Sequence, residues 1–359
     1  MSEQLAAGGT ERQLVEMAKA FDRTKFTPHA ATMKGGFRAA ELAGSAVPII
    51  ELPMESFLSL DAVLAGWKLA AYLRKNKIQV FHAFDYPAAC FGVPVARLAG
   101  TPVVLSSQRG HRALNPPIYR KIQRWTDSLV DGIVVNCESM RKHLMEDEGV
   151  LREKTHLCYN GLDTSRYHQG PRIRTAALAG ASLVIGALSV LRPEKGIHTL
   201  IEAFASVLAL DSKMRLAIVG GGPQLGELKE TAARLNILSS CHFEPSTKEP
   251  ERWLAAIDIF VLPSLSEAFS NSLMEAMASA CAAVVSNVGG NPELIGDGHS
   301  GLLFAPESVA ELSSCLRLLI TNEDLRQRVS SHAARKVREF TLEASAARLG
   351  AIYDGLLNK

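Results

Sequence analysis

Two doubly wound α/β domains, each a parallel sheet wrapped by helices, are the fold class this sequence predicts. Three observations carry the prediction. At 359 residues the chain exceeds one ordinary core and suits two domains of about 150–180 residues each. Short apolar runs alternate with helical periodicity along its whole length, as crossover-connected parallel strands require. A polar stretch near residues 161–176, punctuated by Gly161, Gly170 and Pro171, separates the two halves. The expected division is an N-terminal domain over 1–168, a C-terminal domain over 169–342, and a terminal helix over 343–359 that crosses back to the first domain.

The expected strands of the first half are Val47–Leu52, Ile78–Ala83, Val103–Ser107, Ile133–Asn136 and His156–Tyr159. Those of the second are Leu183–Val190, Leu216–Val219, Ile259–Leu262, Ala283–Ser286 and Leu302–Phe304. Segments between them keep one apolar stripe at helical spacing, such as Ile197, Leu200, Ile201, Phe204, Val207 and Leu208.

Bulk properties narrow the class. Hydrophobic residues make up 47% and charged residues 21%, as in a globular protein. No apolar run approaches the roughly 20 residues of a membrane span, and the N-terminus lacks a signal-peptide core. Six scattered cysteines show neither metal-like nor disulfide-framework spacing and read as reduced, buried thiols. A cytoplasmic location is expected. The net charge of +2 excludes a dominant nucleic-acid footprint. Residues 1–170 nevertheless hold 21 Lys and Arg against 17 Asp and Glu. That excess is concentrated in Arg109, Arg112, Arg120, Lys121 and Arg124, interleaved with Tyr119 and Trp125. This is either a solvated face or a patch for an acceptor or a membrane surface, the latter placing the protein at the inner face of the membrane.

In an open parallel sheet, ligands bind beyond the carboxyl ends of the strands, and four loops of the second half meet that condition. The first reads Leu191-Arg192-Pro193-Glu194-Lys195-Gly196. Arg192 can fork onto phosphate oxygens and Lys195 can act as a mobile point charge, although such a pair is also ordinary on a surface. The second, Gly220-Gly221-Gly222-Pro223, permits close backbone approach or makes a plain tight turn. It is neither a dinucleotide fingerprint nor a P-loop. The third, Pro263 to Ala278, sets Glu267 and Glu275 eight positions apart around a helix start. Backbone N–H groups of Ser270, Asn271 and Ser272 are suited to an anion there. Glu275 shares a narrow polar stripe with Asn271 and Ser279, facing either a hydroxyl-bearing ligand or water. The fourth is Val288-Gly289-Gly290-Asn291-Pro292-Glu293.

Glu267, seven intervening residues and Glu275 resemble the signature of the retaining nucleotide-sugar glycosyltransferases of family four, which have the GT-B fold. That resemblance covers nearly the whole chain from Gly8. It implies two Rossmann-like domains facing a cleft, a nucleoside-diphosphate sugar as donor, and a glycan or lipid-linked acceptor in polysaccharide or glycolipid synthesis. It implies neither cofactor nor metal, and no Asp-x-Asp pair is offered. By resemblance, Arg192 and Lys195 bind the diphosphate, Gly221 lies along the nucleotide, and Glu275 accepts the ribose hydroxyls. Glu267 faces the donor sugar, and Gly289 and Gly290 flank it. Where Ala268 stands, the family usually has Gly.

In the first half, Gly8-Gly9-Thr10-Glu11-Arg12 matches the family's glycine pair, with Gly9 approaching the donor phosphate. The family places a complete strand before these glycines. Only Met1–Ala7, polar and short, precedes them here, so the first strand is expected to be lost, leaving neighbouring backbone unpaired. His82 fits the family's strand-end histidine and is the expected catalytic base. Gln108 stands where a histidine is frequent, and His111 and Arg109 are the acceptor-side candidates. The alternatives are a non-catalytic nucleotide-sugar-binding protein of the same fold and a sugar-nucleotide epimerase.

Overall fold

The computed structural model describes residues 1–6 and 8–359, and the chain divides into two compact units. One comprises Met1–Gly161 with Phe340–Lys359; the other is Leu162–Glu339. The change of unit therefore falls at 161/162, seven residues before the expected boundary. The terminal helix Leu342–Leu357 belongs with the N-terminal unit.

Seven strands build the N-terminal unit: β1 (Ser2–Gln4), β2 (Ala30–Lys34), β3 (Ile49–Glu51), β4 (Val80–Ala83), β5 (Val103–Gln108), β6 (Gly132–Val135) and β7 (Thr155–Leu157). Every pairing is parallel, in the orders β1-β2-β3 and β4-β5-β6-β7. The expectation of a lost first strand is corrected here. Ser2 pairs with Thr32 and Gln4 with Lys34. On the other edge the Met1 amino nitrogen donates to the His82 carbonyl at 2.7 Å, and Phe84 N donates to the Met1 carbonyl at 2.8 Å. β1 thereby joins β2 to β4, in the order β3-β2-β1-β4-β5-β6-β7. A polar strand is tolerated there because its polar groups are answered. The Ser2 hydroxyl and the Glu3 amide both donate to Asp85 Oδ2.

The helix Gly9–Ala20 follows and buries Leu14, Val15 and Met17. Its Gln13 exchanges two hydrogen bonds with Gly161, at 2.8 and 3.0 Å. Tyr353 of the terminal helix stacks on Phe21 at 5.8 Å and meets Phe26 edge-on. Leu349 and Ile352 complete the same core beside Leu14, Val103 and Leu105.

The C-terminal unit holds β8 (Val184–Leu188), β9 (Arg215–Val219), β10 (Cys241–Glu244), β11 (Ile259–Leu262), β12 (Ala282–Ser286) and β13 (Leu302–Phe304). All pair in parallel in the order β10-β9-β8-β11-β12-β13. β8 and β11 are buried throughout, as a sheet covered on both faces demands. Strand order reverses between them: β9 and β10 extend from β8 on one side, β12 and β13 from β11 on the other. That is the topological switch point, where such a sheet opens a crevice at its carboxyl edge.

The basic segment of the N-terminal unit is also corrected. Arg112 is buried and pairs with Asp127 at 2.7 Å and Glu148 at 3.6 Å. Opposite charges brought from distant parts of the chain convert a surface-looking cation into an interior one. Lys121 and Arg124 stay exposed on the helix Pro117–Leu129, beside exposed Ile118 and Trp125. Among the described residues, no helix is long and apolar enough to cross a membrane.

Candidate active site

In the C-terminal unit the loops after β8, β9, β11 and β12 are tied together by their own backbone. Leu265 N donates to Glu194 O at 2.8 Å, joining the β11 and β8 loops. Gly290 N donates to Ala268 O at 2.7 Å, joining the β12 and β11 loops. Leu191 N donates to Gly221 O at 2.9 Å, joining β8 to β9, and Gly221 N reaches Ser246 Oγ after β10 at 3.1 Å. The Ser286 hydroxyl donates to Ser264 O at 2.6 Å, and Asn291 Nδ2 donates to Ser286 O at 3.0 Å. Groups carried on these loops therefore have fixed relative positions.

Lys195 and Glu267 meet at the switch point. Lys195 Nζ lies 2.6 Å from Glu267 Oε1, with both side chains mostly covered. The same carboxylate oxygen accepts from Ser264 Oγ at 2.9 Å. Sequence reasoning missed Ser264. Its only signal is a hydroxyl two residues past the strand end. Arg192 is more exposed and pairs with Glu194 at 2.9 Å. The loop thus presents one cation held by the carboxylate expected to face the sugar, and one reaching into solvent.

Ser270 caps the helix Asn271–Ala278, its Oγ accepting from Leu273 N at 3.3 Å and standing 3.2 Å from Ser272 Oγ. Asn271 and Ser272 form the first helical residues, where amides point outward along the axis. Glu275 is buried and Ser279 is fully buried, so of the polar stripe of this helix only Asn271, partly exposed, reaches the surface. Gly289, at φ 54°, packs so tightly that a Cβ would collide with the Glu267 carbonyl oxygen. The β12 loop is thereby moulded onto the residue it flanks.

Gly9, His82, Arg109 and His111 all lie in the N-terminal unit. Gly9 is the first residue of its helix, after the cap Gly8. His82 is buried with both ring nitrogens engaged, Nδ1 with Tyr353 Oη and Nε2 with Ser107 Oγ, each at 2.8 Å. Burial, aided by the Met1 amino group and Arg109, holds its pKa well below the ordinary histidine range. A base needs a lone pair within reach of the acceptor hydroxyl, and here both nitrogens are spent inside the unit. Tyr353 and Ser107 thus hold the His82 ring in place within the unit. His111 caps a short turn through Nδ1 to Ala113 N at 3.2 Å and stacks on His143 with centroids 4.0 Å apart. Its pKa is lowered first by burial and then by His143. Gln108 is buried, accepting from Arg112 Nε at 3.1 Å. Arg109 donates through Nη1 to Asn160 Oδ1 at 2.7 Å and lies over the Phe84 ring at 4.9 Å.

A parallel six-stranded sheet thus gathers cations, an acid and a helix start at its switch point, the place where ligands bind in such sheets. The chain belongs to the glycosyltransferases: residues 173–336 match the family Glycosyl transferases group 1, and residues 7–166 match Glycosyltransferase Family 4. A D-inositol 3-phosphate glycosyltransferase of Streptomyces bingchenggensis is 28% identical over 239 residues, covering 62% of this chain and 52% of that protein. An MMP alpha-(1->4)-mannosyltransferase of Mycolicibacterium hassiacum is 31% identical over 216 residues, covering 59% and 51%. The chain thus spans about half the length of the curated relatives it matches. The crystal structure of Anabaena HepE in complex with UDP-glucose superposes with a TM-score of 0.84 at 20% identity, covering 99% of this chain and 100% of that one. The fold is GT-B, with two Rossmann-like domains.

Proposed function

We propose that this protein transfers a glycosyl residue from a nucleoside-diphosphate sugar to an acceptor hydroxyl, with retention of configuration and no metal. The observation that carries this reading is the Lys195–Glu267 contact at the switch point of the C-terminal sheet. In this reading Lys195 is the phosphate-binding charge and Glu267 the sugar-facing carboxylate, and their contact supports it. In the proposed reaction the leaving diphosphate is stabilised by Arg192, Lys195 and the helix start at Ser270–Ser272, fixed groups that need no reorganisation as charge develops. Glu275 accepts from the ribose hydroxyls, and Gly221, Gly289 and Gly290 admit the ligand against backbone. Glu267 stabilises positive charge developing on the sugar. Because Lys195 is its partner before the donor binds, the phosphate draws Lys195 away and leaves the carboxylate turned to the sugar. A uridine donor is supported by the likeness to a protein solved with UDP-glucose, and a glycan or lipid-linked acceptor by the resemblance of the motifs. Lys121, Arg124, Ile118 and Trp125 are proposed to give a peripheral contact at the cytoplasmic face of the membrane.

The test is UDP-glucose turnover with a panel of sugar and lipid-linked acceptors, with the product's anomeric proton read by NMR. Transfer giving an α-linked product from the α-linked donor is expected. A β-linked product contradicts retention. UDP binding without transfer or donor hydrolysis identifies a non-catalytic relative, and donor conversion without any acceptor an epimerase.

A further inference from the structure

The two arginines of the first acceptor-side segment differ in one respect. Arg112 is surrounded by Asp127 and Glu148. Arg109 has no such partner: among the described residues, no carboxylate forms an ion pair with it. Its Nη1 is held by Asn160, one face of the guanidinium is covered by Phe84, and its Nε, sealed from solvent, meets no acceptor. The residue as a whole is partly exposed, and Nη2 is not among its sealed atoms. Beside it, Asn136 is buried with its Oδ1 unpartnered while its Nδ2 lies 3.5 Å from the same Asn160 oxygen. Burial lowers the Arg109 pKa to about 10, which leaves it charged at neutral pH.

A desolvated cation answered by one amide oxygen and an aromatic face is under-compensated, and a chain selected for stability alone would pair or replace it. Its position supplies a reason to keep it. Arg109 follows the last residue of β5, at the carboxyl edge of a parallel sheet, where ligands bind. With Nη1 pinned by Asn160 and Nε sealed, Nη2 is the donor left for an oxygen of an anion.

We infer that the acceptor carries an oxyanion, a phosphate or carboxylate, that Arg109 binds. This rests on the glycosyl-transfer reading only for naming the ligand an acceptor. The site itself is tested without turnover. Thermal unfolding of wild type, Arg109→Met and Arg109→Lys is followed in saturating UDP, which occupies the donor site. Inorganic phosphate is then raised to about 50 mM against chloride of equal ionic strength. Wild type is expected to gain about 3 °C, Arg109→Lys less, and Arg109→Met nothing. Without phosphate, Arg109→Met should melt at or above the wild-type temperature, since removing an uncompensated buried charge costs no stability. Equal phosphate responses in wild type and Arg109→Met overturn the inference. So does a loss of about 5 °C or more in Arg109→Met, which marks a structural cation.

Two further arms separate the sources of the anion. Stabilisation by glucose 6-phosphate but not glucose, lost in Arg109→Met, assigns a soluble sugar phosphate. Sedimentation with phosphatidylglycerol but not phosphatidylcholine vesicles, lost in the same variant, assigns a lipid headgroup. A site that takes inorganic phosphate but neither carrier holds an adventitious ion only, and the acceptor inference falls. Failure of UDP to bind any variant strikes the donor reading instead, and the Arg109→Met comparison still reads the phosphate response.

Discussion

Glu267→Gln is expected to lower kcat at least 100-fold while changing the dissociation constant for UDP by no more than about threefold. The first figure corresponds to about 2.7 kcal/mol of barrier, the scale of a charge placed to stabilise a transition state. The second follows from geometry. Glu267 reaches Lys195 Nζ at 2.6 Å, so in the unliganded protein the carboxylate competes with phosphate for that cation. Neutralising it frees Lys195, and any shift in UDP affinity should be toward tighter binding. Steady-state kinetics and calorimetry on one preparation check both halves. Should kcat stay within about threefold of wild type, less than 1 kcal/mol, Glu267 does not act on the transition state. A large loss of UDP affinity would instead make it a donor-binding residue.

Gly289→Ala is expected to be as damaging to turnover and, unlike Glu267→Gln, to destabilise the fold. The position has φ 54°, and the added Cβ would strike the Glu267 carbonyl oxygen. Relief requires displacing the backbone that carries Glu267. The cost should reach about 3 kcal/mol, lowering Tm by about 6–10 °C. Gly298→Ala is the control. Its φ of 69° imposes similar backbone strain, but its Cβ would meet nothing within 4 Å. Its cost should stay near the left-handed penalty, about 1 kcal/mol. Equal effects at the two sites would mean that strain matters at Gly289 and contact with the Glu267 loop does not.

The contrast between these loops and the rest of the chain shows what can be read from sequence. Each of the ten expected strands is present, with ends within two residues, because parallel strands, most of them buried on both faces, read as short apolar runs. Three strands escaped. β1 is polar and depends on Asp85, more than eighty positions away. β2, Ala30–Lys34, has weak strand formers, and β10, Cys241–Glu244, is a half-covered edge without clean alternation. At the site, spacing placed Arg192, Lys195 and Glu267 on loops at one edge of the sheet. It did not reveal that Lys195 and Glu267 touch across 72 positions, nor that Ser264 braces the acid. The basic segment misled for the same reason. Arg109 and Arg112 lie three residues apart, but only Arg112 is met by acids from elsewhere in the chain. Local sequence reports local charge. Burial and pairing are set by partners that folding delivers.

Calorimetric titration of the whole chain with UDP, GDP, ADP and CMP, beside an Arg192→Ala/Lys195→Ala variant, tests the central claim most directly. Preferential binding of one diphosphate, weakened at least tenfold in the variant, or about 1.4 kcal/mol, is the predicted result. A folded protein that binds none of the four, or binds one equally well without Arg192 and Lys195, would contradict a nucleotide-sugar site at the switch point of the C-terminal sheet.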